Sequence, residues 1–341
     1  MKKILTTVGA VVFSLGCSTL PQEQDQTSAQ AQNGTQSKNE IWTSEGLDAE
    51  GEKTLQYRFY WFDEGVQIER IGNAFLNPET KVIERGWDVF QTAHKDGDFK
   101  QRLWFGWYSD SGKVGNVGTS TELTKDNLKL VHFVGTSTNG LMSGVIKTKY
   151  SEGGGVIDET VENFIINGTH VESTPVNTFH KLDRVTASEL FDNGDIVLPK
   201  EVELFEPKLE RLLGSWESKN KEGKVTLKIS WNKWAMGKLL IEHFTFLNEK
   251  GEWSNGGMNV TGLDPASGRI TLWSIRKNGF ARSGGWDFIS DDTTGQRQGN
   301  NRLIRKLEDD NTITAYWQSK KNGEYSGENG KYTLKRVVGS E

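Results

Sequence analysis

Leu212-Leu213-Gly214-Ser215-Trp216 opens a run of short aromatic-rich segments that ends far downstream at Tyr332-Thr333-Leu334-Lys335-Arg336-Val337. Between these two stretches, residues 225–231 and 269–275 alternate apolar and polar side chains with period two, as a strand with one buried face does. Turn chemistry separates the segments: Asn248-Glu249-Lys250-Gly251, Asp264-Pro265-Ala266-Ser267-Gly268 and Lys277-Asn278-Gly279. The reading is strand after strand joined by tight turns.

A second copy lies upstream. It opens at Ile41-Trp42 and closes at His180-Lys181-Leu182-Asp183-Arg184-Val185. Trp42 falls opposite Trp216, Thr54-Leu55 opposite Thr226-Leu227, and Gly65 opposite Gly237. Phe75-Leu76-Asn77 then matches Phe246-Leu247-Asn248, Leu103-Trp104 matches Leu272-Trp273, and Leu182-x-Arg184-Val185 matches Leu334-x-Arg336-Val337. A period this long, kept in order, signals duplicated domains rather than a solenoid. Helical spacing is confined to residues 186–191 and 207–213, at the connection between the copies.

The expected organisation is a signal segment at 1–17, a tether at 18–40, a first β unit at 41–185, a partly helical linker at 186–211 and a second β unit at 212–338. Lys2 and Lys3 precede a short apolar run ending in Ser14-Leu15-Gly16-Cys17, too short to span a bilayer as a helix. It resembles a bacterial lipoprotein signal with Cys17 acylated, although Ser14 stands where that signal usually carries Leu. An ordinary secretory peptide is the alternative. Cys17 is the single cysteine, so the exported domains would rely on their cores without disulfides. The resemblance implies membrane attachment through Cys17, and Ser18 after it implies outer-membrane sorting in the cell envelope. Residues 18–40 are rich in Gln, Ser and Thr and suit a tether that buries little.

Sequential hairpins in each unit suggest closed antiparallel up-and-down barrels of about eight strands, since closure removes exposed edges. A β-sandwich is the rival architecture. Leu213-Gly214-Ser215-Trp216 on a first strand with Arg336 on the last resembles the calycin pattern of lipocalins and fatty-acid-binding proteins. That resemblance implies an all-β fold of two tandem calycin-like barrels, with Trp216/Arg336 and Trp42/Arg184 closing the barrel ends by cation–π stacking. Residues 205–338 further resemble a bacterial calycin-like domain of unknown function often fused to SnoaL-like modules. Paired units also resemble the hydroxyneurosporene-synthase-like group, without a motif for its hydratase chemistry.

A net charge of −5 excludes a general nucleic-acid binder. The five histidines show no metal spacing, the glycine runs match no phosphate-binding fingerprint, and no cofactor is implied. Four residues stand out for ligand binding: His243 on a strand where alternation could aim it into the lumen, and Arg276, Arg282 and Trp286, which a hairpin would bring to a barrel mouth. The function expected is binding of a small apolar or amphipathic ligand in a barrel lumen. Two rivals are an isomerase, hydratase or hydrolase at a barrel mouth, and a glycan- or protein-interaction module using aromatics such as Trp104, Trp107 and Tyr108.

Overall fold

The computed structural model describes residues 40–337 except 48–52, 64–67, 93–98, 111–113, 173–175, 183–184, 201–202, 249–250 and 277–280. Cys17, the proposed tether up to residue 39, His94 and Arg184 lie outside the described residues. No described helix is long and apolar enough to cross a membrane.

The N-terminal unit contains β1 (Ile41–Leu47), β2 (Lys53–Asp63), β3 (Ile68–Leu76), β4 (Ile83–Thr92), β5 (Phe99–Tyr108) and β6 (Val114–Lys125). It continues with β7 (Leu128–Ser137), β8 (Gly140–Tyr150), β9 (Val156–Ile166), β10 (Thr169–Val171) and β11 (Asn177–Leu182). Each strand from β1 to β9 pairs antiparallel with the next, and β11 pairs with both β9 and β1, closing a ring of ten strands with β10 as a short flap on β9. The C-terminal unit is a closed barrel of ten: β12 (Gly214–Lys219), β13 (Val225–Trp234), β14 (Leu239–Leu247), β15 (Trp253–Leu263), β16 (Ile270–Arg276), β17 (Ala281–Phe288), β18 (Thr293–Gln298), β19 (Asn301–Asp309), β20 (Thr312–Lys321) and β21 (Glu324–Arg336). Both units are thus all-β closed barrels, each two strands wider than the sequence suggested, and a wider ring encloses more interior.

The linker carries two short helices, α1 (Ala187–Asp192) and α2 (Pro207–Glu210). Thr186 and Glu189 form a capping box that satisfies the first amides of α1. Pro207 suits the first turn of α2, where its missing N–H costs nothing. Val197 continues the linker as a parallel bridge to Val82, tying it to the N-terminal barrel. Leu204, Leu209 and Leu212 then pack with Trp216 and Leu334 against the floor of the C-terminal barrel. Burying each such Leu contributes about 1.5–3 kcal/mol.

Trp216 and Arg336 sit opposite each other on the closing strands, with the guanidinium 4.3 Å over the indole. Arg336 also donates to the carbonyls of Leu213, Arg211 and Asp310, and Trp216 Nε1 donates to Leu212 O at 2.8 Å. At the equivalent joint of the N-terminal barrel, Trp42 Nε1 donates to Glu40, and Lys181 lies 5.9 Å over the indole and 2.5 Å from the Glu40 carboxylate.

One hydrophobic cluster runs through both barrels. Leu103, Phe105 and Trp107 on the outside of β5 pack with Ile241, Val260, Trp273 and Ile275 on the outside of β14–β16. Phe105 meets Trp273 edge to face at 5.2 Å, and Phe90 meets Trp234 at 6.4 Å. The outer wall of each barrel is therefore core where the two dock. Polar groups are buried in this junction as well. Arg70 Nη2 donates to His243 Nε2 at 2.5 Å, and Asp88 accepts from Trp107 Nε1 at 2.7 Å. Burial raises the Asp88 carboxyl to about 6 against the opposing pull of Trp107, Trp234 and Arg70. Burial and the neighbouring Arg70 charge push His243 well below 6.5.

Candidate functional site

The predicted site residues do not converge. On β14 the strand alternates as expected but in the opposite sense: Leu240, Glu242 and Phe244 join the interior cluster or its polar network, while His243 points out to Arg70. His243 is therefore a junction residue, not a lumen residue. Alternation could not fix the sense because the outer wall is itself buried by the neighbouring barrel.

Trp286 does face the C-terminal lumen, where its Nε1 donates to Thr261 Oγ1 at 3.2 Å. Arg276 lies over Phe244 at 4.3 Å, a stacking made possible by Gly257 between them, where an added Cβ would come 2.7 Å from the Phe244 ring. Arg282 pairs through its backbone with Ser274, and its side chain lies outside the described residues. Trp104 faces the N-terminal lumen, Trp107 faces the junction and Tyr108 is exposed, so the aromatic run of β5 divides between the two faces of the wall.

At the centre of the C-terminal lumen is a residue the sequence reading passed over. Glu242 accepts from Arg305 Nη2 at 2.5 Å, Asn259 Nδ2 at 2.8 Å and Gln296 Nε2 at 3.1 Å. Arg305 also bonds Gln296 Oε1 at 3.1 Å and lies 5.2 Å from the Trp231 ring. The pair is walled in by aromatics and nearly all of its polar arms are committed, which is how a buried ion pair is held in a core.

The N-terminal lumen is built differently. Arg58 binds Glu159 through both nitrogens at 3.0 and 2.8 Å, reaches Asn73 at 2.6 Å and lies 4.0 Å over Phe179. Arg102 pairs with Glu122 on the neighbouring strand. Lys129 is buried and sits 5.7 Å over the Tyr150 ring. Burial would raise the Glu159 carboxyl, but Arg58 beside it holds it below the usual carboxylate range. Burial lowers the Arg102 guanidinium to about 10. Tyr150 is lowered despite burial, because Lys129, Arg58 and Arg102 surround its hydroxyl with positive charge.

Beside this charged zone lies an aromatic one. Trp87 stacks on Trp104 at 4.8 Å, Phe133 meets Trp104 edge-on at 6.1 Å, and Phe164 follows at 6.0 Å from Phe133. The Trp104 indole lies flat on Gly118 and Gly135; a Cβ at either would come within 2.5 Å of the ring, so only glycine admits it. Ser44 Oγ, Gln91 Oε1, Arg102 Nε and Trp104 Nε1 are buried in this lumen without a protein hydrogen-bond partner. The C-terminal lumen likewise leaves Trp231 Nε1, Asn259 Oδ1, Ser274 Oγ, Thr294 Oγ1 and Arg305 Nε in that state, with Arg276 over Phe244 as a second cation beside Arg305. No described group of His, Cys, Asp and Glu could hold a metal ion. An open cleft of about 350 Å³ on the outside of β12–β14 is lined by Glu217, Lys228, Ser230 and Thr245, with Glu217 and Lys228 3.9 Å apart.

Among solved structures, the chain is similar to a protein of unknown function from the DUF3598 family of Nostoc punctiforme. The identity is 11% and the TM-score 0.20, over 87% of this chain and 95% of that one. It is also similar to an AttH candidate from Nitrosomonas europaea, at 10% identity and a TM-score of 0.17, over 87% and 91% of the two chains. No family model and no curated protein matches the chain. The chain is a tandem of closed β-barrels. These likenesses carry no residue role across, so the chemistry rests on the two interiors alone.

Proposed function

We propose that the chain is a calycin-like binding protein whose N-terminal barrel takes a small amphipathic molecule. The carrying observation is the juxtaposition inside one ten-stranded wall of an aromatic zone, Trp87, Trp104 and Phe133, with a cationic one, Arg102 and Lys129. The apolar body of the ligand would lie on the rings, and an anionic head would face the ammonium of Lys129, whose close neighbour is the Tyr150 ring. The lipoprotein reading of Cys17 belongs to the same proposal: it would hold the barrels at the outer membrane of the envelope, near a source of such molecules.

Titration with a dansylated long-chain fatty acid tests the assignment. Lys129→Met is expected to weaken binding about tenfold, or about 1.4 kcal/mol, without lowering stability. Unchanged affinity, or no uptake by the unaltered protein, would remove the proposal. One observation favours a second reading. Buried Lys129 and half-buried Tyr150 form an amine–phenol pair with a lowered phenol, the kind of group that moves protons. Chemical conversion of a bound ligand, lost in Tyr150→Phe with binding retained, would decide for an enzyme.

A further inference from the structure

The inside of the N-terminal barrel changes character along its axis. β5, β7 and β9 finish at one rim, here the upper, at Tyr108, Ser137 and Ile166, while β4, β6 and β8 finish at the lower rim. Register across the ladders then sorts the inward-facing side chains by height. Toward the lower rim Gln91, Arg102, Glu122, Lys129 and Thr148 are all buried. Trp42, Tyr60, Ile157 and Phe179 pack into one cluster in the same half, each 5% exposed or less. From mid-height to the upper rim the inward face is Trp87, Ile146, Val161, Phe164 and Ile166, and all five are only half-buried.

Apolar side chains that face inward and still meet water mark an interior that solvent reaches from above. An apolar chain laid on them would take that area out of water. Polar groups follow the reverse gradient. Arg102 Nε and Gln91 Oε1, deep in the lower half, are buried without a protein hydrogen-bond partner, and Lys129 sits there between Thr148 and the Tyr150 ring. A carboxylate leaves water at low cost only where donors already stand to receive it, and the lower half has them. Arg85, the cation nearest the upper rim on this face among the described residues, is laid over Phe75 at 4.7 Å. β8 and β9 each run 11 residues, so at about 3.3 Å per residue and a tilt of about 40° the wall stands roughly 28 Å tall, room for a long chain along the axis.

We infer that the ligand of this barrel is a single-chain free acid that enters by the upper rim with its carboxylate leading. The carboxylate rests beside Arg102 and Lys129 and the methyl end among Phe164 and Ile166, which depends on the N-terminal lumen being the binding site proposed above. The buried lower half sets the class. It admits a small unesterified head and excludes an ester or a bulky lipid headgroup, whereas the upper half tolerates a longer tail. Tyr108 and Leu141, both exposed at the upper rim, give an emerging tail an apolar lip.

Photo-crosslinking of the full chain tests direction and class together. Two palmitic acids are used, one carrying a diazirine beside the carboxylate and the other beside the methyl end, and the labelled residues are mapped by mass spectrometry. The methyl-end probe is expected to mark the upper parts of β8 and β9 and the carboxylate-end probe the lower parts of β5–β7, each by about tenfold over the other end. The methyl ester of either probe should label about tenfold less than the acid. A crossed pattern, with the carboxylate-end probe at the upper rim near Arg85, or even labelling of both ends, would overturn the direction while leaving the lumen as the site. Equal labelling by acid and ester would overturn the free-acid class. Labelling confined to residues outside the lumen, or none at all, would remove the binding site itself and this inference with it.

Discussion

The two barrels share a strand count and a way of closing, yet their interiors follow opposite rules. The C-terminal lumen is a core: tryptophans, leucines and one ion pair, Glu242 with Arg305, whose partners are nearly all supplied. The N-terminal lumen collects Arg58, Arg102, Lys129, Glu122 and Glu159 beside a stack of rings. Its apolar outer face, Tyr57, Phe59, Leu103 and Phe105, is what packs against the linker and the neighbouring barrel. One interior is thus filled chiefly by apolar side chains around a single ion pair, and the other sets several charges beside its rings.

The comparison can be broken most sharply at Glu242. Glu242→Ala would leave Arg305 buried and unpaired, a loss of about 3–5 kcal/mol, read as a fall in denaturant midpoint. A small effect would mean that the C-terminal lumen is not a closed core. Arg336→Ala should cost less, about 1–2 kcal/mol, since it removes one cation–π stack and its carbonyl bonds at a half-exposed joint.

The junction adds a pH term. His243 is held below its ordinary 6.5 in the fold, so the unfolded chain binds more protons there. Stability from His243 is present above pH 6.5 and is lost as pH falls below it, at up to about 1.4 kcal/mol per pH unit. Asp88, raised from 3.8 to about 6, works the other way: its contribution is full below 3.8 and is lost as pH rises through 6. The facing charges are the Arg70 guanidinium, a cation throughout this range, and Lys238, whose ammonium burial pulls down against the opposing charge of Asp110. Thermal midpoints should therefore drop between pH 7 and 6 and then level off, and His243→Met should remove the drop. The smallest effect is expected on the outside of the N-terminal barrel. Lys147 and Glu162, 3.5 Å apart and both half-exposed, should contribute about 0.5 kcal/mol or less, so Lys147→Ala serves as the control for charges inside.

Much of the scaffold was readable. Period-two segments and turn residues mark the strands, and residues 186–191 and 207–213 mark where α1 and α2 stand. Leu103-Trp104 and Leu272-Trp273 even fall on the fifth strand of each barrel. Their faces do not correspond: Trp104 points into its lumen, whereas Trp273 points out to Phe105. A slip of one residue turns a strand over, and in β14, buried on both faces from Leu239 to Phe244, nothing in the pattern says which side is in. His243 drew notice as a histidine while its neighbour Glu242 held the lumen. The charges of β2, β5 and β7 were unreadable for the same reason, since polar residues in alternation ordinarily mean water.

The cluster shared between the barrels bears on how such a chain could be made and divided. Cutting it at the linker would bare Val260, Trp273 and Ile275 on one piece and Leu103, Phe105 and Trp107 on the other. Two sticky fragments, rather than two independent proteins, would come off the ribosome.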